Sequence, residues 1–220
     1  MVPPPDRRAR LARAHLYFVA DIGGLERALD GALAGGADLV QLRDKTAGDD
    51  DLLAAAERAR ERCEAHRALL ILNDRPDLAV AAGADGVHVG QDDMPVARAR
   101  EIVGDKAIIG LSTHSIEQAD AGARSGADYI AVGPVHATPT KEGRPAIGLE
   151  PIRHAAAHVG LPWFAIGGID ADTVGDVVDA GATRAVIVRA IAHAPDPEAV
   201  SRALRDTLVA GPVEAACGSA

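Results

Sequence analysis

The chain has 220 residues, a net charge of −9, an apolar fraction of 48% and only 2% aromatic residues. That length suits one domain with a sizeable core, which Ala, Val, Ile and Leu must fill. The acidic balance argues against a nucleic-acid or anionic-membrane partner, no run is long enough to span a bilayer, and the N-terminal MVPPPDRRARLARA lacks the apolar centre of a signal peptide.

The expected setting is therefore the cytoplasm. Cys63 and Cys217 form no CxxC pair, and a disulfide between them is not expected. The ends, 1–13 and 211–220, read as flexible tails around one domain over 14–210.

Four segments share an opening: GGADLVQLRDK at 35–45, AGADGVHVGQD at 82–92, SGADYIAVGP at 125–134 and AGATRAVIVRA at 180–190. Their spacing is close to two strand-plus-helix units, so a further strand should lie between each pair. In chain order, strands are predicted at His15–Ala20, Leu39–Arg43, Leu69–Leu72, Gly86–Val89, Ala107–Leu111, Tyr129–Val132, Trp163–Ile166 and Ala185–Val188. Helices are predicted over 25–34, from Asp49 to His66 with Asp49 to Asp51 as cap and first-turn acids, and from Pro76. Further helices follow Ser115, which has Gln118 as its capping partner, and fill 149–159, 171–180 and 197–209. Strand three is apolar throughout, as burial on both faces requires. The fold class is α/β, a single (βα)8 TIM barrel whose active site sits at the C-terminal ends of the strands. The longest connection, Gly133 to Gly148, is rich in Gly, Pro and Thr and reads as functional.

The scarce polar residues gather at those strand ends. Two of three lysines (Lys45, Lys141), the one asparagine (Asn73) and two of three glutamines (Gln41, Gln91) fall there. Arg43 suits a bidentate grip on phosphate oxygens, with Lys45 and Lys141 as point charges, so a diphosphate fits. Asp74 and Asp93 end neighbouring strands and suit Mg²⁺, which takes one or two carboxylates and completes its shell with phosphate and water. Read singly, each acid suits a helix cap ahead of Pro76 or Pro95 better than a metal; the pair facing a basic cluster favours the metal. No His/Cys spacing supports zinc. Gly167-Gly168 and the turn at Val188-Arg189 suit a monophosphate held by backbone N–H groups. His88 and His114 are candidates for acid–base work or for hydrogen-bonded fixtures.

The set QLRDK (41–45), NDR (73–75), GVHVGQDD (86–93), GLSTHS (110–115), DYIAVGPVHATPTK (128–141) and AIGGI (165–169) resembles thiamine-phosphate synthases, in order and spacing, over about 15–205. The resemblance implies condensation of a hydroxymethylpyrimidine diphosphate with a thiazole phosphate, giving thiamine phosphate and pyrophosphate by a dissociative, Mg²⁺-assisted route. It implies Arg43, Lys45, Lys141 and Ser112 as groups acting on the diphosphate, with Asn73 donating beside them. It places Gln41 and His88 at the pyrimidine and Thr138 and Thr140 at the thiazole. Gly168 and the backbone of Val188 and Arg189 fall on the thiazole phosphate, and Asp74 and Asp93 on the metal. Arg189 stands where the family commonly has serine, and His136 where an aromatic residue is usual. Two alternatives stay open: a thiazole tautomerase of the same superfamily, working through His114, and a non-catalytic phosphate-binding barrel. The oligomeric state is also open, a homodimer included.

Overall fold

The computed structural model describes residues 6–137 and 145–211. In chain order these form α1 (Arg7–Leu11), β1 (Leu16–Ala20), α2 (Ile22–Ala34), β2 (Leu39–Leu42), α3 (Asp49–His66), β3 (Leu69–Asn73), α4 (Pro76–Ala81), β4 (Gly86–Val89) and α5 (Val96–Val103). There follow β5 (Ile108–Thr113), α6 (Ile116–Ala123), β6 (Tyr129–Val132), α7 (Glu150–His158), β7 (Trp163–Ile166), α8 (Val174–Asp179), β8 (Ala185–Ile187), α9 (Arg189–Ala192) and α10 (Pro197–Ala210). The eight strands pair in sequence order, all parallel, and β8 closes onto β1. The chain is a TIM barrel.

Strand side chains alternate between two cores. Outward residues such as Phe18, Val40, Leu70 and Val87 pack under the helices. Inward residues such as Tyr17, Leu39, Ile71, Ile108, Tyr129 and Phe164 fill the barrel. Towards the C-terminal ends the inward row turns polar, with Gln41 two residues after Leu39 and Asn73 two after Ile71. The register sets Asn73, His88, Gly110 and Tyr129 side by side on β3 to β6.

The repeated aspartates tie strand starts together. Asp38 accepts from the backbone N–H groups of His15 and Leu16, Asp85 from Leu70 and Asp128 from Ile109, at 2.8–3.1 Å. The other carboxylate oxygens of Asp85 and Asp128 meet Arg7 and Arg8 at 2.7 Å. Part of the expected N-terminal tail is thus structured: α1 lies across the barrel floor, and Leu11 and Ala14 join the interior core. Its arginines answer acids that lie far away in sequence, which is why the segment reads as a polar tail. Of the expected C-terminal tail, only Gly211 is described.

Other expectations shift locally. The cap of α3 is Gly48, and Asp49 to Asp51 all lie in the first turn. β5 runs on to Thr113 and so contains Ser112. Ser115 caps α6 by accepting from the Gln118 N–H, while the Gln118 carboxamide oxygen accepts from the His114 N–H. α9 is a short helix directly after β8, where the sequence pattern predicts only a turn. Cys63 is buried in α3, and burial pushes its thiol up to about 12. No helix among the described residues is long and apolar enough to cross a membrane.

Candidate active site

A cavity of about 310 Å³ opens at the C-terminal ends of the strands. Gln41, Arg43, Asn73, His88, Ser112, Gly168, Val188 and Arg189 all line it, as the strand-end reading expects. Asp74 stands beside Asn73, Lys45 and Asp93 stand against Asp74, and none of the three is among the lining residues. Thr138, Thr140 and Lys141 lie outside the described residues. Asp44 is occupied by its own loop, accepting from Thr46 N and Oγ1 and from Ala47 N at 2.8–3.1 Å. Arg43 lines the cavity and makes no ion pair among the described residues.

The two acids do not cap the helices that follow them. The α4 cap is Arg75 and the α5 cap is Pro95, neither with a side-chain cap bond. Asp74 instead holds a left-handed backbone, φ 60°, which a short polar side chain tolerates. Its carboxylate accepts from Asn73 Nδ2 at 2.6 Å and faces Lys45 Nζ at 3.4 Å. Burial, then the neighbouring Asp93, holds the Asp74 carboxyl above the usual range, and Lys45 opposes this only in part. Asp93 is fixed by the Gly90 N–H at 3.0 Å, and a Cβ on Gly90 would stand 2.5 Å from that carboxylate oxygen. Two facing carboxylates are a hard oxygen donor set. Among the described residues no group of three or more His, Cys, Asp or Glu converges. The pair fits Mg²⁺, which draws its other ligands from phosphate and water.

The opposite side of the cavity is built on close backbone approaches. Gly167 and Gly168 have φ 106° and 64°. A Cβ on Gly167 would stand 2.5 Å from Pro134, and one on Gly168 2.7 Å from the His136 Cβ. The segment after β6 lies along this turn, with Val135 N donating to Ile166 O at 2.8 Å and His136 N to Gly167 O at 3.0 Å. Only glycine allows the two segments to lie so close and still leave the turn open to a ligand.

The family described as Thiamine monophosphate synthase matches residues 16–191. The chain belongs to this family. A thiamine-phosphate synthase of Saccharopolyspora erythraea is 53% identical over 91% of this chain and 96% of that protein. One from Thermobifida fusca is 54% identical over 92% and 96%. The solved thiamine phosphate pyrophosphorylase of Pyrococcus furiosus superposes with a TM-score of 0.80 at 32% identity, over 91% and 96% of the two chains. A solved 3-hexulose-6-phosphate synthase, TM-score 0.63 at 22% identity, shares the fold.

As a member of the thiamine monophosphate synthase family the chain is a transferase. Two residues that the sequence pattern did not single out are Tyr17, which lines the cavity, and Tyr129, which lies beneath it against Tyr17 and His88. They are the only tyrosines in the chain, and both are fully buried. A buried phenol needs a partner, so two tyrosines on inward strand positions were the available signal. Their hydroxyls meet each other at 2.8 Å, and Tyr129 also meets His88 Nδ1 at 3.0 Å. His88 is therefore a buried, bonded group. His114 lines the cavity and bonds the Gly133 carbonyl through Nδ1 at 2.5 Å, which holds the segment after β6 in place.

Proposed function

We propose that this site joins 4-amino-2-methyl-5-hydroxymethylpyrimidine diphosphate to 4-methyl-5-(2-phosphoethyl)thiazole, releasing thiamine phosphate and pyrophosphate. The observation that carries the reading is the two-ended cavity. Arg43 with Asn73, Ser112 and the Asp74–Asp93 pair flanks one side, and the glycine turn after β7 flanks the other. One end suits a diphosphate and the other a monophosphate.

In the proposed step the C–O bond to the diphosphate breaks, and its electron pair leaves with pyrophosphate. The thiazole nitrogen lone pair then forms the new C–N bond to the pyrimidine methylene. Arg43, Asn73 and Ser112 hold the diphosphate and donate to oxygens whose charge grows, with Lys45 beside them and Lys141 assigned there by family resemblance. Asp74 and Asp93 would hold Mg²⁺, which supplies Lewis-acid stabilisation of the leaving group. Gln41 and His88 orient the pyrimidine on the cavity floor. Backbone N–H groups at Gly168, Val188 and Arg189 hold the thiazole phosphate, and family resemblance assigns Thr138 and Thr140 to the thiazole. No Ser–His or Cys–His nucleophile is needed. Small-molecule substrates suffice as partners.

The test is pyrophosphate release by the purified protein with both substrates and Mg²⁺, each omitted in turn. Release that requires all three, with an equal amount of thiamine phosphate, is the expected result. A folded protein that releases none would return the site to a tautomerase reading centred on His114.

A further inference from the structure

A continuous line of hydrogen bonds crosses the barrel interior beneath the cavity. Gln41 Nε2 donates to Tyr17 Oη at 2.5 Å, and the two tyrosine hydroxyls stand 2.8 Å apart. Tyr129 Oη meets His88 Nδ1 at 3.0 Å, and His88 Nε2 meets Ser112 Oγ at 2.9 Å. All five side chains are buried, and each bond in the line gives a buried polar group a partner it needs.

With the Gln41 amide nitrogen as the donor at one end, donor counting gives the line a direction. Each hydroxyl has one hydrogen to give. Tyr17 receives the Gln41 amide and gives its own hydrogen to Tyr129. Tyr129 then gives to His88 Nδ1, which accepts through the ring lone pair. A neutral imidazole that accepts at Nδ1 carries its hydrogen on Nε2, so it donates to Ser112 Oγ. The Ser112 hydrogen remains for whatever fills the cavity, which Ser112 lines. A break in this order would set two lone pairs, or two hydrogens, against each other in a dry interior, where an unmade bond is expensive.

We propose that Tyr17 and Tyr129 are positioning residues that lock His88 in the Nε2–H form and thereby hold the Ser112 hydroxyl as a donor to the diphosphate of the bound substrate. The diphosphate in this statement rests on the function proposed above; the tautomer does not. Gln41, at the far end, also lines the cavity, so the orientation of its amide and the donor state of Ser112 are two ends of one device.

The experiment is a long-range proton–nitrogen NMR correlation of the histidine rings in the full ¹⁵N-labelled chain at neutral pH, with His88 assigned through His88→Asn. The expected wild-type spectrum shows a protonated Nε2 and a lone-pair Nδ1. Tyr129→Phe keeps the ring and removes the donor, so the Nδ1–H form should appear. Tyr17→Phe takes away the hydrogen that fixes the direction of the Tyr129 hydroxyl, so the Nδ1–H form should appear beside the wild-type form. A wild-type Nδ1–H tautomer, or an unchanged spectrum in Tyr129→Phe, overturns the proposal. In the pyrophosphate assay, Tyr129→Phe should lower kcat about tenfold, less than deleting a donor outright, with the KM for thiazole phosphate unchanged. An unchanged kcat would overturn the link to Ser112. A protein that releases no pyrophosphate in any form would defeat the proposed reaction, while the NMR result would still decide the tautomer.

Discussion

The Tyr129 hydroxyl reaches His88 Nδ1 at 3.0 Å across the strand that lies between them, and it does so over Gly110. A Cβ on Gly110 would stand 2.0 Å from Tyr129 Cζ and 2.5 Å from His88 Nδ1. The glycine is the gap through which the two rings bond. Gly110→Ala is therefore expected to cost about 1–3 kcal/mol, the usual range for overpacking, and to lower turnover with it. Gly175→Ala, on a helix with open space around the new methyl, should leave thermal stability unchanged or slightly raised. Equal melting temperatures for Gly110→Ala and wild type would mean the rings do not meet as described.

Much of the placement of these side chains is legible in the sequence. Period-two alternation on a parallel barrel sends Gln41, Asn73, His88 and Ser112 to one end and one face, so reading the residues at each strand end finds them. The tyrosine line was not legible, because Tyr17 and Tyr129 lie 112 residues apart and look like ordinary core residues within their strands. Which inward side chains meet across a barrel depends on register and on gaps such as Gly110. The α1 helix was hidden for a similar reason. Arg7 and Arg8 gain meaning only once Asp85 and Asp128 are placed at the floor.

The facing carboxylates give a prediction with two readouts. Asp93→Asn should depress turnover by roughly 10²–10³-fold, the scale for losing a preorganised electrostatic group. The affinity for thiazole phosphate, held at the other end, should be nearly unchanged. Asp93 helps to hold the Asp74 carboxyl above its usual range, so its removal relieves a repulsion in metal-free protein. The melting temperature in chelator is thus expected to stay level or rise. Equal losses of turnover and thiazole-phosphate affinity would count against these acids as the metal site.

The barrel floor and the cavity lie at opposite ends, so they should separate under mutation. Leu11 is 1% exposed and packs into the interior core from α1. Leu11→Ala should cost about 2–5 kcal/mol, as for other buried large-to-small changes. Arg8→Ala removes an ion pair that is half exposed on the arginine side and should cost only about 1 kcal/mol or less. Both variants should keep wild-type kcat and KM well below their melting temperatures. A Leu11→Ala protein as stable as wild type would show that α1 is not part of the core.

The two tyrosines also set an alkaline limit. Burial raises the phenol pKa of both Tyr17 and Tyr129 in the folded chain. Unfolded, each would ionise near pH 10, which is roughly the reference value for a free phenol. The unfolded state therefore releases protons first. The stability conferred by the neutral hydroxyls is whole below about pH 10 and falls as pH climbs from there towards the folded-state values. Because the chain has only these two tyrosines, absorbance at the tyrosinate band reads them without background from others. Tyrosinate should be absent from the native protein and should appear in one cooperative step, together with loss of circular dichroism. A gradual titration near pH 10 with the circular dichroism intact would place the hydroxyls in contact with water and dissolve the hydrogen-bonded line that joins Gln41 to Ser112.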